Sequence, residues 1–154
     1  MAPTYLVTGG CGFIGSHLVD ALLADGASVR VIDDLSTGAK ANLPDSDKVS
    51  FTHGDIANFE LMREVMKGCD GVFHLAAVAS VQRGNEDWLG THRTNLTGTI
   101  TVLECARTAS ASGAQIPVVY ASSAAVFGGA FITRRSPTTI VALSVSLSPL
   151  LFLL

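Results

Sequence analysis

Charge is scarce in this sequence. Only 15% of its 154 residues are Asp, Glu, Lys or Arg, while 48% are apolar. Intrinsic disorder needs the opposite balance, low hydrophobicity with high net charge, and is excluded. Cations are scarcer still: ten Lys and Arg against thirteen Asp and Glu leave a formal charge of −3, which gives no footprint for a phosphate backbone, so no nucleic-acid partner is expected. Cysteine is limited to Cys11, Cys69 and Cys105, an odd number that forms no paired framework and whose spacings match no zinc site. No metal is expected. The opening MAPTYLVTGG lacks a basic stretch followed by an apolar core, so the chain reads as cytoplasmic and reduced. Long apolar runs are missing as well, apart from Ile140–Leu154, where eleven of fifteen residues are apolar and none is charged. As a helix that run would reach only ~22 Å, short of a ~30 Å hydrocarbon core. Pro149 interrupts it. No membrane partner is expected.

The ionic residues are unevenly spread. Residues 1–128 hold all thirteen acids and eight bases, whereas 129–154 carry only Arg134 and Arg135. The chain therefore reads as one domain over 1–128 followed by an apolar tail over 129–154, either disordered or the product of a shifted reading frame.

Within 1–128, strand and helix patterns alternate. Tyr5–Thr8, Ser28–Ile32, Val49–Thr52, Gly71–Leu75 and Pro117–Tyr120 are short β-favouring runs. Apolar residues recur at helical spacing over Phe13–Ala24, which Gly26 follows as a stop, and over Asn58–Lys67. A third, longer helix is expected from about Glu86 to Ala109, with Leu89, Leu96, Ile100, Leu103 and Ala106 near a common face. Parallel neighbours need crossover helices, so this alternation predicts an α/β fold with a doubly wound parallel sheet, ordered 3-2-1-4-5, and a ligand crevice between strands one and four.

The first turn reads Thr8-Gly9-Gly10-Cys11-Gly12-Phe13-Ile14-Gly15, satisfying both G-x-x-G-x-x-G and G-x-G-x-x-G. By themselves, three glycines equally make a plain turn. Here they follow a strand and open a helix, and Asp33 stands 18 residues beyond Gly15 at the end of the second strand. In that setting backbone N–H groups approach a pyrophosphate at the helix N-terminus, and the carboxylate accepts from ribose hydroxyls and repels a 2′-phosphate. The pattern predicts binding of NAD rather than NADP. No Gly-Lys-Ser/Thr follows, which excludes a Walker loop.

TGGCGFIGSHLVDALLADG followed by VRVIDDLSTG resembles the extended short-chain dehydrogenase/reductase family, the NAD-dependent sugar-nucleotide epimerases and dehydratases, whose NAD-binding domain is a Rossmann fold. The resemblance continues through His53-Gly54-Asp55-Ile56, His74-Leu75-Ala76-Ala77, Thr94–Thr99 and Tyr120–Gly128, and stops after Gly128, so the fold is expected to be truncated after its fifth strand. It implies that Gly9, Gly12, Phe13, Ile14, Gly15, Asp33, Asp34, Asp55, Ile56, Leu75, Ala76, Ala77 and Asn95 hold NAD. Plainer readings stand beside it: Asp55 as a cap for the helix near Asn58, His74 as a core residue, and Asn95 as a surface residue. The helix containing Asn95 resembles the family's dimerisation helix, which implies a homodimer.

In the family, a Ser or Thr after strand five works with a Tyr-x-x-x-Lys pair that takes the sugar hydroxyl proton while NAD takes the hydride. The resemblance assigns the Ser role to Ser123, with Ser122 as the alternative. Dehydratases carry Asp-Glu at the next positions and decarboxylases a Glu; Ala124 and Ala125 offer neither, which favours C4 epimerisation of a UDP-sugar. A reductase or decarboxylase remains an alternative. The galactose-type epimerases of the family it resembles place a Lys near the position of Ala79, where this sequence has Ala. The last lysine is Lys67 and the only tyrosines are Tyr5 and Tyr120, so no Tyr-x-x-x-Lys exists in these 154 residues. The expectation is an NAD-binding part of a sugar-nucleotide enzyme, inactive alone, with the nucleotide-sugar as substrate of a longer parent. The alternatives are a non-catalytic NAD-binding module and a non-functional truncated product.

Overall fold

The computed structural model describes residues 2–109, 115–122 and, as backbone, 143–145. Five strands run parallel: β1 (Thr4–Thr8), β2 (Ser28–Asp33), β3 (Val49–His53), β4 (Gly71–His74) and β5 (Val118–Tyr120). A sixth, β6 (Leu143–Val145), pairs antiparallel with β5 and makes the order β3-β2-β1-β4-β5-β6. The parallel order 3-2-1-4-5 is the one the alternation predicts. β6 lies within the stretch read as a tail, where no element was expected. The boundary at 128 falls outside the described residues.

Side chains alternate across the pleated strands, so neighbours serve opposite faces of the sheet. Leu6, Ile32, Val72 and Val118 pack with Met62 and Met66 of α2 (Phe59–Met66) and with Val102, Cys105 and Ala106 of the last helix. Val7, Val29 and Val31 pack on the other face against Val19 and Leu22 of α1 (Phe13–Ala24). Each fully buried Leu, Ile, Val or Met contributes roughly 1.5–3 kcal/mol. In α1 the buried positions are Gly15, Ser16, Val19 and Leu22, the one-sided spacing of a helix lying on a sheet. Asn58 accepts from Leu61 N–H and begins α2, so the capping role open to Asp55 belongs to Asn58.

The long helix differs from expectation. A separate α3 (Val81–Glu86) comes first, and Asp87, with extended φ of −135°, breaks the chain and accepts from Gly90 N–H to start the next helix. That helix has three parts in continuous right-handed conformation: α4 (Trp88–His92), a π-helical turn over Arg93–Gly98, and α5 (Thr99–Thr108). The wider i→i+5 turn holds an extra residue and rotates α5 by about 100° relative to an unbroken helix. The inward face is Gly98, Thr101, Val102, Cys105 and Ala106. Leu89, Leu96 and Ile100, expected inside, are 79%, 49% and 57% exposed. Among the described residues, no helix is long and apolar enough to cross a membrane.

Candidate cofactor-binding site

The carboxyl ends of β1 and β4 diverge into two loops, and a cleft of about 910 Å³ opens between them. All thirteen residues expected to hold NAD line it: Gly9, Gly12, Phe13, Ile14, Gly15, Asp33, Asp34, Asp55, Ile56, Leu75, Ala76, Ala77 and Asn95. Ala121 and Ser122 line it too, after β5. Ser123, the expected acid/base partner, lies outside the described residues.

Two glycines shape the first loop. Gly9 has φ of +70°, and a side chain there would put its Cβ 2.7 Å from Ala76 N and 2.8 Å from Ala76 Cα, closing the gap between the loops. At Gly15 an added Cβ would lie 2.7 Å from Gly10 Cα and closer still to the Gly9 carbonyl oxygen. The loop therefore folds directly onto the first turn of α1. Gly12 occupies the N-cap with no side-chain cap, and no acidic residue stands in the first turn. The leading N–H groups of α1 are thus left for a ligand, at the positive end of the helix. Among the described lining residues none is Lys or Arg, so backbone alone supplies positive potential there.

Asp33 ties this loop to the end of β2. It is buried to 7% exposure; one carboxylate oxygen accepts from Cys11 N–H at 2.9 Å and the other from Leu35 N–H at 2.8 Å. The second bond holds Leu35 at φ of +58°, a conformation uncommon outside glycine. Each oxygen keeps a lone pair for a hydroxyl in the cleft. Cys11 is fixed from its other side as well, its carbonyl accepting from Asn42 Nδ2 at 2.8 Å and Ala39 N–H at 3.1 Å. Burial pushes the Cys11 thiol up to about 11, which leaves it an unreactive filler. Asp34 folds its side chain onto Ser36 N–H at 2.9 Å and borders the cleft beyond Asp33.

The far wall comes from the segments after β3 and β4. Asp55 accepts from Ala57 N–H at 2.8 Å and from Arg93 Nε at 2.7 Å. Ile56 is 4% exposed, its side chain in the core and an added Cβ on Gly98 only 2.5 Å from its Cδ1. Asn95 holds both backbone groups of Val78, its Oδ1 accepting from Val78 N–H at 2.8 Å and its Nδ2 donating to Val78 C=O at 3.0 Å. Asn95 is thus a brace for the loop at the floor of the cleft rather than a plain surface residue. Sequence reasoning missed Arg93, Asn42 and the bond to Val78, because each acts across segments far apart in the chain. His74 is a buried core residue, as the plainer reading had it. It lies between Thr8 Oγ1 and Thr99 Oγ1, at 2.8 and 2.9 Å.

Burial lowers the His74 pKa to about 4. An unfolded chain takes up this proton near pH 6.5, whereas the folded one resists it until about pH 4. Between those values the unfolded state binds more protons, so stability falls as pH drops through the window and is full above it. The expected loss is about 3 kcal/mol over the window. Urea unfolding at pH 7, 5.5 and 4.5, with His74→Gln as reference, measures it as a flatter pH dependence in the variant. Equal slopes in the two chains would contradict a buried neutral imidazole.

The chain resembles known proteins in sequence and in fold. The family model described as NAD dependent epimerase/dehydratase family matches residues 5–143. The UDP-glucose 4-epimerase of Mycolicibacterium smegmatis is 42% identical over 127 residues, covering 80% of this chain and 40% of that protein. UDP-glucuronic acid decarboxylase 1 of Danio rerio is 32% identical over 123 residues, with 80% and 28% covered. Among solved structures, UDP-glucose 4-epimerase from Brucella ovis in complex with NAD superposes with a TM-score of 0.72 at 34% identity, covering 82% of this chain and 38% of that one. The chain thus spans about two fifths or less of the length of these relatives. Sequence and fold agree, and the chain belongs to the NAD-dependent epimerase/dehydratase family.

Proposed function

We propose that the cleft binds NAD and that this chain is the NAD-binding part of a sugar-nucleotide enzyme resembling UDP-glucose 4-epimerase. One observation carries the reading. The buried carboxylate of Asp33 braces the glycine loop at Cys11 N–H while keeping lone pairs toward the same cleft that receives the uncapped N-terminus of α1. The residues present fit the cofactor: Gly9 and Gly15 leave a cradle that a Cβ would fill, and among the described residues no lining side chain competes for the α1 N–H groups. In this reading Gly12, Phe13, Ile14 and Gly15 hold the pyrophosphate and Asp33 takes the adenosine ribose. Asp34, Asp55 and Ile56 border the adenine. Leu75, Ala76 and Ala77 form the floor on which the rest of the cofactor lies, braced by Asn95. Bound NAD supplies a hydride acceptor and donor at a sugar carbon. Ser123 would hydrogen-bond the reacting hydroxyl.

These 154 residues carry no Tyr-x-x-x-Lys, so the activity proposed for them is binding without turnover. Ala124 and Ala125 in place of carboxylates favour epimerase-type chemistry on a UDP-sugar in the longer parent, over elimination or decarboxylation. The division at residue 128, with 129–154 as a tail, rests on the composition break. Cytoplasmic placement suits three free thiols. A second copy would dock on the exposed face of Leu89, Leu96 and Ile100 along the helix that carries Asn95.

Fluorescence titration with NADH and NADPH tests the proposal. Saturable binding of NADH in the micromolar range is expected, with NADPH at least about tenfold weaker because Asp33 repels a 2′-phosphate. Equal binding of the two would remove Asp33 from the ribose site, and absence of binding would remove the reading altogether.

A further inference from the structure

A line of hydrogen bonds runs beneath the cleft, and its members determine its direction. Thr8 Oγ1 accepts from Ala76 N–H at 3.1 Å and shares Leu75 N–H, 3.2 Å away, with the Thr8 carbonyl at 3.1 Å, so among the described residues its remaining partner is the His74 ring. The Thr8 hydroxyl proton therefore points to His74 Nδ1, 2.8 Å away, and Nδ1 must be the unprotonated ring nitrogen. A neutral imidazole then carries its proton on Nε2, which donates to Thr99 Oγ1 at 2.9 Å. Thr99 passes its hydroxyl proton to the Asn95 carbonyl at 2.8 Å. The side chain of the same Asn95 grips the N–H and C=O of Val78. The reverse order fails at its first step. A proton on Nδ1 would add a donor to Thr8 Oγ1 and leave the Thr8 hydroxyl without an acceptor among the described residues.

We infer that Thr8, His74, Thr99 and Asn95 act as one positioning unit, a hydrogen-bond line of fixed direction that locks Leu75–Val78 as the floor of the cleft. The line starts on the strand that ends in the glycine loop and finishes in the π-helical turn, so it joins the two sides of the cleft. The turn makes this possible, because the widened segment Arg93–Gly98 delivers Asn95 to Val78 and Thr99 to His74 together. Among the described residues every buried side-chain nitrogen or oxygen has a partner, and this line accounts for the buried Thr8 and His74. That the locked floor positions the dinucleotide rests on the NAD reading above. The direction of the line does not.

The tautomer of His74 tests it. In the 15N-labelled full chain, imidazole NMR distinguishes a protonated from an unprotonated ring nitrogen. The His74 signals are identified by their loss in His74→Gln, or by Overhauser contacts to Thr8 and Thr99 where that variant is unstable. At pH 7, His74 is expected in the Nε2–H form, unchanged at pH 5. An Nδ1–H form, or an even mixture, would overturn the proposal. Thr99→Val removes the acceptor for Nε2–H and is expected to weaken NAD binding about tenfold, while Thr99→Ser keeps the hydroxyl and binds within about twofold of the parent. A Thr99→Val chain that binds NAD like the parent would overturn the coupling to the floor. A parent chain with the Nε2–H form that binds no NAD would support the line and sink the cofactor reading instead.

Discussion

Gly15→Ala is expected to abolish measurable NAD binding and to destabilise the chain by about 2 kcal/mol or more. The methyl group would be driven into the Gly9 carbonyl and within 2.7 Å of Gly10 Cα, both backbone atoms that no rotamer change can move. Overpacking of this kind typically costs about 1–3 kcal/mol, and here relief requires the loop to lift off α1. Lifting the loop withdraws the backbone N–H groups from the cleft, so binding and stability fall together. Gly68→Ala is the control. It has φ of +76° and would meet nothing within 4 Å, so it carries about 1–2 kcal/mol of backbone strain without touching the site. Calorimetric NAD titration beside urea unfolding of the two variants separates the effects. Gly68→Ala should lose stability and keep NAD affinity. Equal loss of affinity in both would show that the loop contact does not govern binding.

Asp33→Ala carries the second large effect. Removing the carboxylate leaves the N–H groups of Cys11 and Leu35 without their acceptor, one of them buried, at a cost of roughly 1–3 kcal/mol. Leu35 then has nothing to hold its φ of +58° and is expected to relax. For NAD the loss adds the hydroxyl contacts of a charged acceptor to a loosened loop, about ten- to a hundredfold in affinity. Asp33→Asn should recover part of the stability, because one oxygen remains to accept, but its amide group opposes the other N–H. A difference in stability without a difference in affinity would mean that Asp33 only braces the loop.

These effects trace back to residues that the sequence motifs had already singled out. Gly9, Gly15 and Asp33 lie in one βαβ unit, where local turn chemistry, strand ends and helix starts are written in adjacent residues, and the structure brings them to one cleft. The parallel order followed from alternation alone, since crossover connections leave few arrangements. The long helix was less legible. Its break at Asp87 depends on a side-chain cap, and its inward face is taken largely by small residues, Gly98, Thr101, Cys105 and Ala106 with Val102, so a search for large apolar residues at helical spacing put Leu89, Leu96 and Ile100 on the wrong face. The line through Thr8, His74 and Thr99 was not legible at all. Thr8 and His74 are 66 residues apart, and nothing in either neighbourhood marks a threonine or histidine as a partner of the other. Asp55 was visible as an acidic residue before a helix, but its ion pair with Arg93 comes from 38 residues away. Local motifs locate the cleft; the braces that stiffen it arise only when the chain is folded.

Whether Asp33 and the glycine loop together make an NAD site is decided by isothermal titration of the full chain and of Asp33→Ala with NAD. One saturable site of micromolar affinity is expected in the parent, with binding weakened at least about tenfold in the variant. No binding in the parent, or the same affinity in both chains, would contradict it.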